Sequence, residues 1–155
     1  QIRPSGRKTM GVKGITLSSK EDRVVGMLLI KREGTVLVAT ENGFGKRTEI
    51  AQYRAQKRGG KGVLTMKTTD KLGKMITIKE VVGTDDLMII RDDGVLIRMP
   101  VSQIRSIGRA TQGVRLIKLG KGTKVSSITR IISEEEKKTD EKIKQEEDSP
   151  QPEEG

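Results

Sequence analysis

The sequence predicts an all-β fold assembled from repeated, propeller-like units, on three observations. First, residues recur every 51 positions: Arg7, Arg58 and Arg109; Gly11, Gly62 and Gly113, each followed by valine; and Ile2-Arg3, Tyr53-Arg54 and Ile104-Arg105. A fixed period of that length marks units that bury their apolar faces only against neighbours. Second, Asn42-Gly43 and Asp93-Gly94 stand one period apart. Such dipeptides favour tight two-residue hairpin turns with both positions at positive φ. Third, the segments flanking those turns are short, β-branched and bounded by turn residues, which suits strands.

Within each unit the strands follow in a set order. One strand is expected over 12–17, and again over 63–68 and 114–119. The next is expected over 24–30, 75–81 and 126–132. Hairpin strands open the two complete units, at 36–40 and 44–48 and one period later at 87–91 and 95–99, and the other pair completes each. Four strands per unit is the content of a propeller-like blade, and the chain holds about ten in all. The first unit is entered partway through and the chain opens on Gln1, so the sequence reads as a piece of a longer polypeptide. Phe44 and Tyr53 are its only aromatic residues. The core must therefore be aliphatic, which disfavours Trp-Asp and kelch blades.

The last segment differs in kind. Residues 134–145 have helical composition, but Ile143 is their only large apolar side chain, and Pro150 and Pro152 follow. The expected division is a repeat body over 1–132 and an acidic tail over 133–155, disordered or marginally helical.

The net charge of +10 conceals a sharp asymmetry. The tail carries ten acidic and four basic residues, leaving the body with 27 basic and 11 acidic side chains, a net of +16. A folded body that basic points to a polyanionic partner, nucleic acid first, and exceeds what solubility needs. With no cysteine there is neither a disulfide framework nor a thiolate metal site. With no histidine the commonest general base and metal ligand are missing. An enzyme is thus the poorest of the function classes. No apolar run is long enough to cross a bilayer and no signal pattern opens the chain, so a cytoplasmic setting is expected.

Few residues offer chemistry. A lone tyrosine can attack a phosphodiester, but the positions equivalent to Tyr53 are Ile2 and Ile104, so packing is the expected role. Asp85-Asp86 and Asp92-Asp93 could suggest a metal site. Their counterparts are Gly34-Thr35 and Glu41-Asn42, which favours turn chemistry instead. Gly45-Lys46 is followed by Arg47, which breaks the phosphate-binding P-loop pattern.

The basic residues themselves repeat. Arg3, Arg54 and Arg105 share one position; Arg7, Arg58 and Arg109 share a second; Arg47 and Arg98 a third; Lys13 and Arg115 a fourth. Lys8, Lys46, Lys57 and Lys61 lie beside them. Several sit in glycine-containing connections at 6–14, 57–62 and 108–113, where backbone N–H groups can approach phosphate oxygens closely. Repeated on successive blades, these fourteen residues would lay a cationic stripe along the rim. The alternative is that the glycines only satisfy turns and the cations are simply solvated. With two aromatic residues there is no platform for stacking bases, so double-stranded DNA suits the chain better than single strands.

Three stretches carry a resemblance: residues 3–15 (RPSGRKTMGVKGI), 40–48 (TENGFGKRT) and 105–114 (RSIGRATQGV). With the period, they make the body similar to the C-terminal DNA-wrapping domain of the DNA gyrase A protein. The fold this implies is a six-bladed β-pinwheel, of which about three four-stranded blades are present. Gln56, Lys57, Arg58, Gly59, Gly60, Lys61 and Gly62 resemble the family's wrapping box, Gln-Arg-Arg-Gly-Gly-Lys-Gly, one residue apart. The equivalent domain of topoisomerase IV is the alternative within the family, and a protein-interaction repeat the alternative outside it.

The resemblance implies non-sequence-specific binding, bending and wrapping of double-stranded DNA, in support of ATP-dependent negative supercoiling. The implied partners are the remainder of gyrase A together with gyrase B in a heterotetramer, in the bacterial cytoplasm at the nucleoid and away from any membrane. No cofactor is expected in this chain. ATP, Mg²⁺ and the cleaving tyrosine belong by resemblance to the rest of the holoenzyme. The acidic tail would either compete with DNA for the basic surface or act as a solubilising end.

Overall fold

The computed structural model describes residues 4–132, so Arg3 and the 133–155 tail lie outside the described residues. Seven strands form two antiparallel sheets: β1 (Thr35–Thr40), β2 (Phe44–Glu49), β3 (Met75–Val81), β4 (Asp86–Arg91), β5 (Leu96–Pro100), β6 (Val114–Arg115) and β7 (Val125–Ile131). One sheet runs β3-β1-β2-β6 and the other β5-β4-β7. Short 3₁₀ turns at Ile50–Gln52 and Val101–Gln103 follow β2 and β5, one period apart.

The fourth strand of the first sheet comes from the following repeat: Phe44 pairs with Arg115 and Gly45 with Val114. Three expected strands, at 12–17, 24–30 and 63–68, are absent: those segments belong to neither sheet. In place of a ladder, their backbone groups make single hydrogen bonds to other segments, as Thr16 N–H does to Gly60 O and Lys67 N–H to Thr111 O. In 24–30 apolar side chains stay exposed, Met27 at 94% and Leu29 at 71%. The 114–119 strand is likewise cut to two residues.

The hairpins also differ from expectation. Among the described residues only glycines take positive φ, including Gly43 at 79° and Gly94 at 84°. The first turn closes with Gly43 N–H donating to Thr40 O at 3.1 Å, and the second with Gly94 N–H to Arg91 O at 3.2 Å. Only glycine adopts that conformation without a Cβ penalty, so the loop lengthens and Asn42 keeps ordinary φ. Its amide is then available to donate to Asp70 O and Lys71 O, at 3.3 and 3.1 Å.

β3 has the expected bounds, whereas β7 begins and ends one residue early. The register shows why: Thr35 pairs with Val81, but Asp86, one period on, pairs with Ile131. The turn before β7 is one residue shorter than that before β3, so the 51-residue phase breaks after the outer strand.

Packing follows from strand alternation. Leu37 and Ala39 of β1 face Leu87 and Ile89 of β4, with Val81, Val101, Ile104, Val125 and Ile128 completing a core between the two blades. Val36 and Val38, on the other face, pack with Met66 and Leu72. β1 is buried on both faces, as its unbroken apolar run requires. Each fully buried leucine or isoleucine there contributes about 1.5–3 kcal/mol. Phe44 and Tyr53 lie only at the margin of the second cluster.

Buried charge fixes the approach to β1. Glu80 Oε1 accepts from the N–H groups of Lys31 and Arg32, both at 2.8 Å. Asp85, fully buried, accepts from Arg32 Nη2 at 2.6 Å and from Val82 N–H at 3.0 Å. The Asp85 carboxylate thus closes a turn and anchors an arginine from the preceding connection. Glu41 Oε1 accepts from Lys74 N–H at 2.9 Å and Asp92 Oδ1 from Lys124 N–H at 3.1 Å, the same role one repeat apart. Among the described residues no three Asp, Glu, His or Cys side chains gather as a metal site.

Candidate nucleic-acid interface

Three windows spaced by the repeat, 3–17, 54–68 and 105–119, hold thirteen basic residues and no acidic one. Every carboxylate of the body lies elsewhere. Local structure then joins the windows to one another. Gly59 N–H donates to Gly14 O at 2.8 Å, and Gly60 O accepts from Thr16 N–H at 2.9 Å. The Thr16 hydroxyl donates to Gly59 O at 2.5 Å. One period later Lys67 N–H donates to Thr111 O at 3.1 Å. The second and third glycine connections are therefore each docked on the outer segment of the repeat before, and the basic loops form a row.

The third loop is held from a second side by β2. Arg47 N–H donates to Arg105 O at 3.3 Å, and Ile107 N–H to Arg47 O at 2.9 Å. The Thr48 hydroxyl donates to Ile107 O at 2.9 Å, and Ser106 Oγ to Glu49 Oε1 at 2.9 Å. Gly113, at φ 80°, approaches so closely that an added Cβ would lie 2.7 Å from Gly45 O. That contact demands glycine.

The expected cations divide into three groups. Arg7, Lys8, Lys13, Arg54, Lys57, Arg58, Lys61, Arg105 and Arg115 are exposed on the row, and Gln56 is exposed beside them. Arg115 also lies over the Phe44 ring, 5.4 Å from its centroid. Arg109 is half-buried: its Nη1 donates to Leu64 O at 2.9 Å, and its guanidinium lies 5.9 Å from the Tyr53 centroid. It stitches adjacent repeats. Tyr53 is half-buried and exchanges a hydrogen bond with the Thr65 hydroxyl, a packing role in keeping with Ile2 and Ile104.

Three expected cations are engaged by groups of the protein itself. Lys46 is fully buried, its ammonium donating to Gly108 O at 2.6 Å, to Arg109 O and to Thr111 Oγ1 at 3.1 Å. Burial, and then the nearby Arg109 charge, pull its pKa below the usual lysine range. Arg47 turns its Nε to Ile104 O at 2.7 Å, and Arg98 on β5 pairs with Asp86 at 2.5 Å. Two further cations join the row beyond those expected: Lys67 and Lys118 share one position of the period and both are exposed. Retention of charge across 51 residues was the available signal.

No helix among the described residues is long and apolar enough to cross a membrane. The family model described as "DNA gyrase C-terminal domain, beta-propeller" matches residues 1–31, 34–81 and 85–131. The break between matched segments falls at each repeat boundary. Over 137 residues the chain is 46% identical to the DNA gyrase A protein of Staphylococcus epidermidis, covering 87% of this chain and 15% of that protein. A solved structure of the DNA gyrase A C-terminal domain superposes with a TM-score of 0.75 at 25% identity, over 84% of this chain and 44% of that one. The C-terminal domain of DNA topoisomerase IV shares the fold, with a TM-score of 0.72 at 18% identity over 90% of this chain and 43% of that one. The chain thus spans under half of the solved domains and a small part of the curated relative. On these matches and the repeat geometry, it belongs to the family of DNA gyrase A C-terminal domains.

Proposed function

We propose that this domain binds double-stranded DNA through its phosphates, without sequence preference, and bends it around the row of basic loops. The observation that carries the reading is the row itself: carboxylate-free windows, one per repeat, docked on one another by backbone hydrogen bonds. Cations at fixed intervals suit a continuous phosphate backbone, and the absence of aromatic platforms argues against base stacking. Bending 20–30 base pairs through 40–90° costs about 1–6 kcal/mol, which several phosphate contacts offset.

In this reading the domain serves DNA gyrase A in the bacterial cytoplasm, presenting a curved segment to the catalytic core formed with gyrase B. ATP hydrolysis, Mg²⁺ and strand cleavage are assigned to those other parts, and this chain alone to none of them. Ligation of a nicked circle in the presence of the protein tests the wrapping. A linking-number shift of one sign supports it. An unchanged topoisomer distribution at saturating protein removes wrapping, even where binding persists.

A further inference from the structure

We propose that Lys46 is a positioning residue: its buried ammonium, held by Gly108 O, Arg109 O and Thr111 Oγ1, fixes the third basic loop in its DNA-facing form. The proposal deepens the DNA-binding reading and rests on it.

The chemistry of the site is unusual for a lysine. Its side chain is fully buried and its three donors meet three neutral oxygens. A buried ammonium persists only where each proton finds an acceptor. Here all three belong to one short segment of the next repeat. Thr111 is tied in as well, since its hydroxyl donates to Gly108 O at 2.8 Å. The same segment is gripped at Arg109 N–H by Gln52 Oε1, 3.3 Å away, and Thr111 O accepts from Lys67. Lys46 therefore sits at the junction of a hairpin strand, the next repeat's loop and the preceding outer segment. It is the interior pin of that step in the row.

The repeat isolates this role. One period after Lys46 stands Ile97, a half-buried apolar residue on β5 with no ammonium to place. The interior position asks for a long side chain, and the charge appears where there are carbonyls to meet it.

The test is amide hydrogen exchange together with a salt titration of duplex affinity, on wild type, Lys46→Met and Thr111→Val. The expected result is exchange in 104–113 at least about tenfold faster in Lys46→Met, with β1 and β3 unchanged. The log–log salt slope should fall in magnitude by about 1, which corresponds to one fewer phosphate neutralised. Thr111→Val removes one acceptor at an exposed residue and should give a smaller change of the same sign. Should Lys46→Met unfold throughout, Thr111→Val decides: loop exchange equal to wild type overturns the proposal. Unchanged loop exchange in a folded Lys46→Met overturns it as well. A wild type that fails to bind duplex counts against the DNA reading alone, because the exchange arm does not involve DNA.

Discussion

Thr16 donates its backbone N–H to Gly60 O at 2.9 Å, and one period later Lys67 makes the same bond to Thr111 O at 3.1 Å. A loop that anchored independently in each repeat would place its cations at arbitrary offsets. A loop hydrogen-bonded to its predecessor inherits the spacing of the blades, and so do the side chains it carries.

The two glycines of the central loop should respond differently to alanine. Gly59 has φ of 76°, whereas Gly60 lies outside the positive-φ set and its added Cβ meets nothing closer than Lys57 O at 3.5 Å. Gly59→Ala is expected to cost about 1–2 kcal/mol in urea melts, and Gly60→Ala to lie within about 0.5 kcal/mol of wild type.

The blade junction should be less forgiving. A Cβ on Gly113 would sit 2.7 Å from Gly45 O, at a φ of 80°. Gly113→Ala combines backbone strain with overpacking, so a loss of about 2–4 kcal/mol is expected in the same assay.

Asp85 anchors Arg32 with no exposure of its own, while Arg32 keeps 22% of its side chain exposed. Asp85→Ala leaves that guanidinium and Val82 N–H without their carboxylate. The expected cost is about 2–4 kcal/mol, below the range of a fully buried pair because water reaches the arginine.

Glu41 sets a pH dependence. Its carboxyl is held below the usual range, first by the hydrogen bond from Lys124 and next by Lys74 N–H. Because the folded pKa is depressed, its contribution is fully present above the unfolded value of about 4.3 and is lost as pH falls through the lower folded value. Glu41→Gln should therefore show a shallower acid loss of stability than wild type, with the two curves parallel above pH ~6.

Strand content was legible for the hairpins and their direct neighbours in the two sheets. Hairpins β1–β2 and β4–β5 announced themselves through Asn42-Gly43 and Asp93-Gly94, and their neighbours β3 and β7 through β-branched residues in phase with the period. Residues 24–30 are more apolar than β3 and stand one period before it, yet form no strand, because strand formation depends on a pairing neighbour that composition does not report. The site was legible as a set and less so residue by residue. Lys46 reads as a phosphate ligand because it stands beside Arg47 in a basic run. Its partner in the period, Ile97, carries the correction: a position that alternates between lysine and isoleucine faces inward. The same comparison places Tyr53 correctly through Ile2 and Ile104.

The most direct measurement is duplex affinity as a function of salt, for wild type, Lys57→Ala/Lys61→Ala and Arg98→Ala. Log affinity should fall steeply with log salt, by about 0.9 per phosphate neutralised. The loop double variant should flatten that slope by about 1–2, while Arg98→Ala, already paired with Asp86, should leave it unchanged. A wild-type slope near zero, or an equal loss from Arg98→Ala and from the loop variant, would contradict a phosphate track formed by the repeated loops.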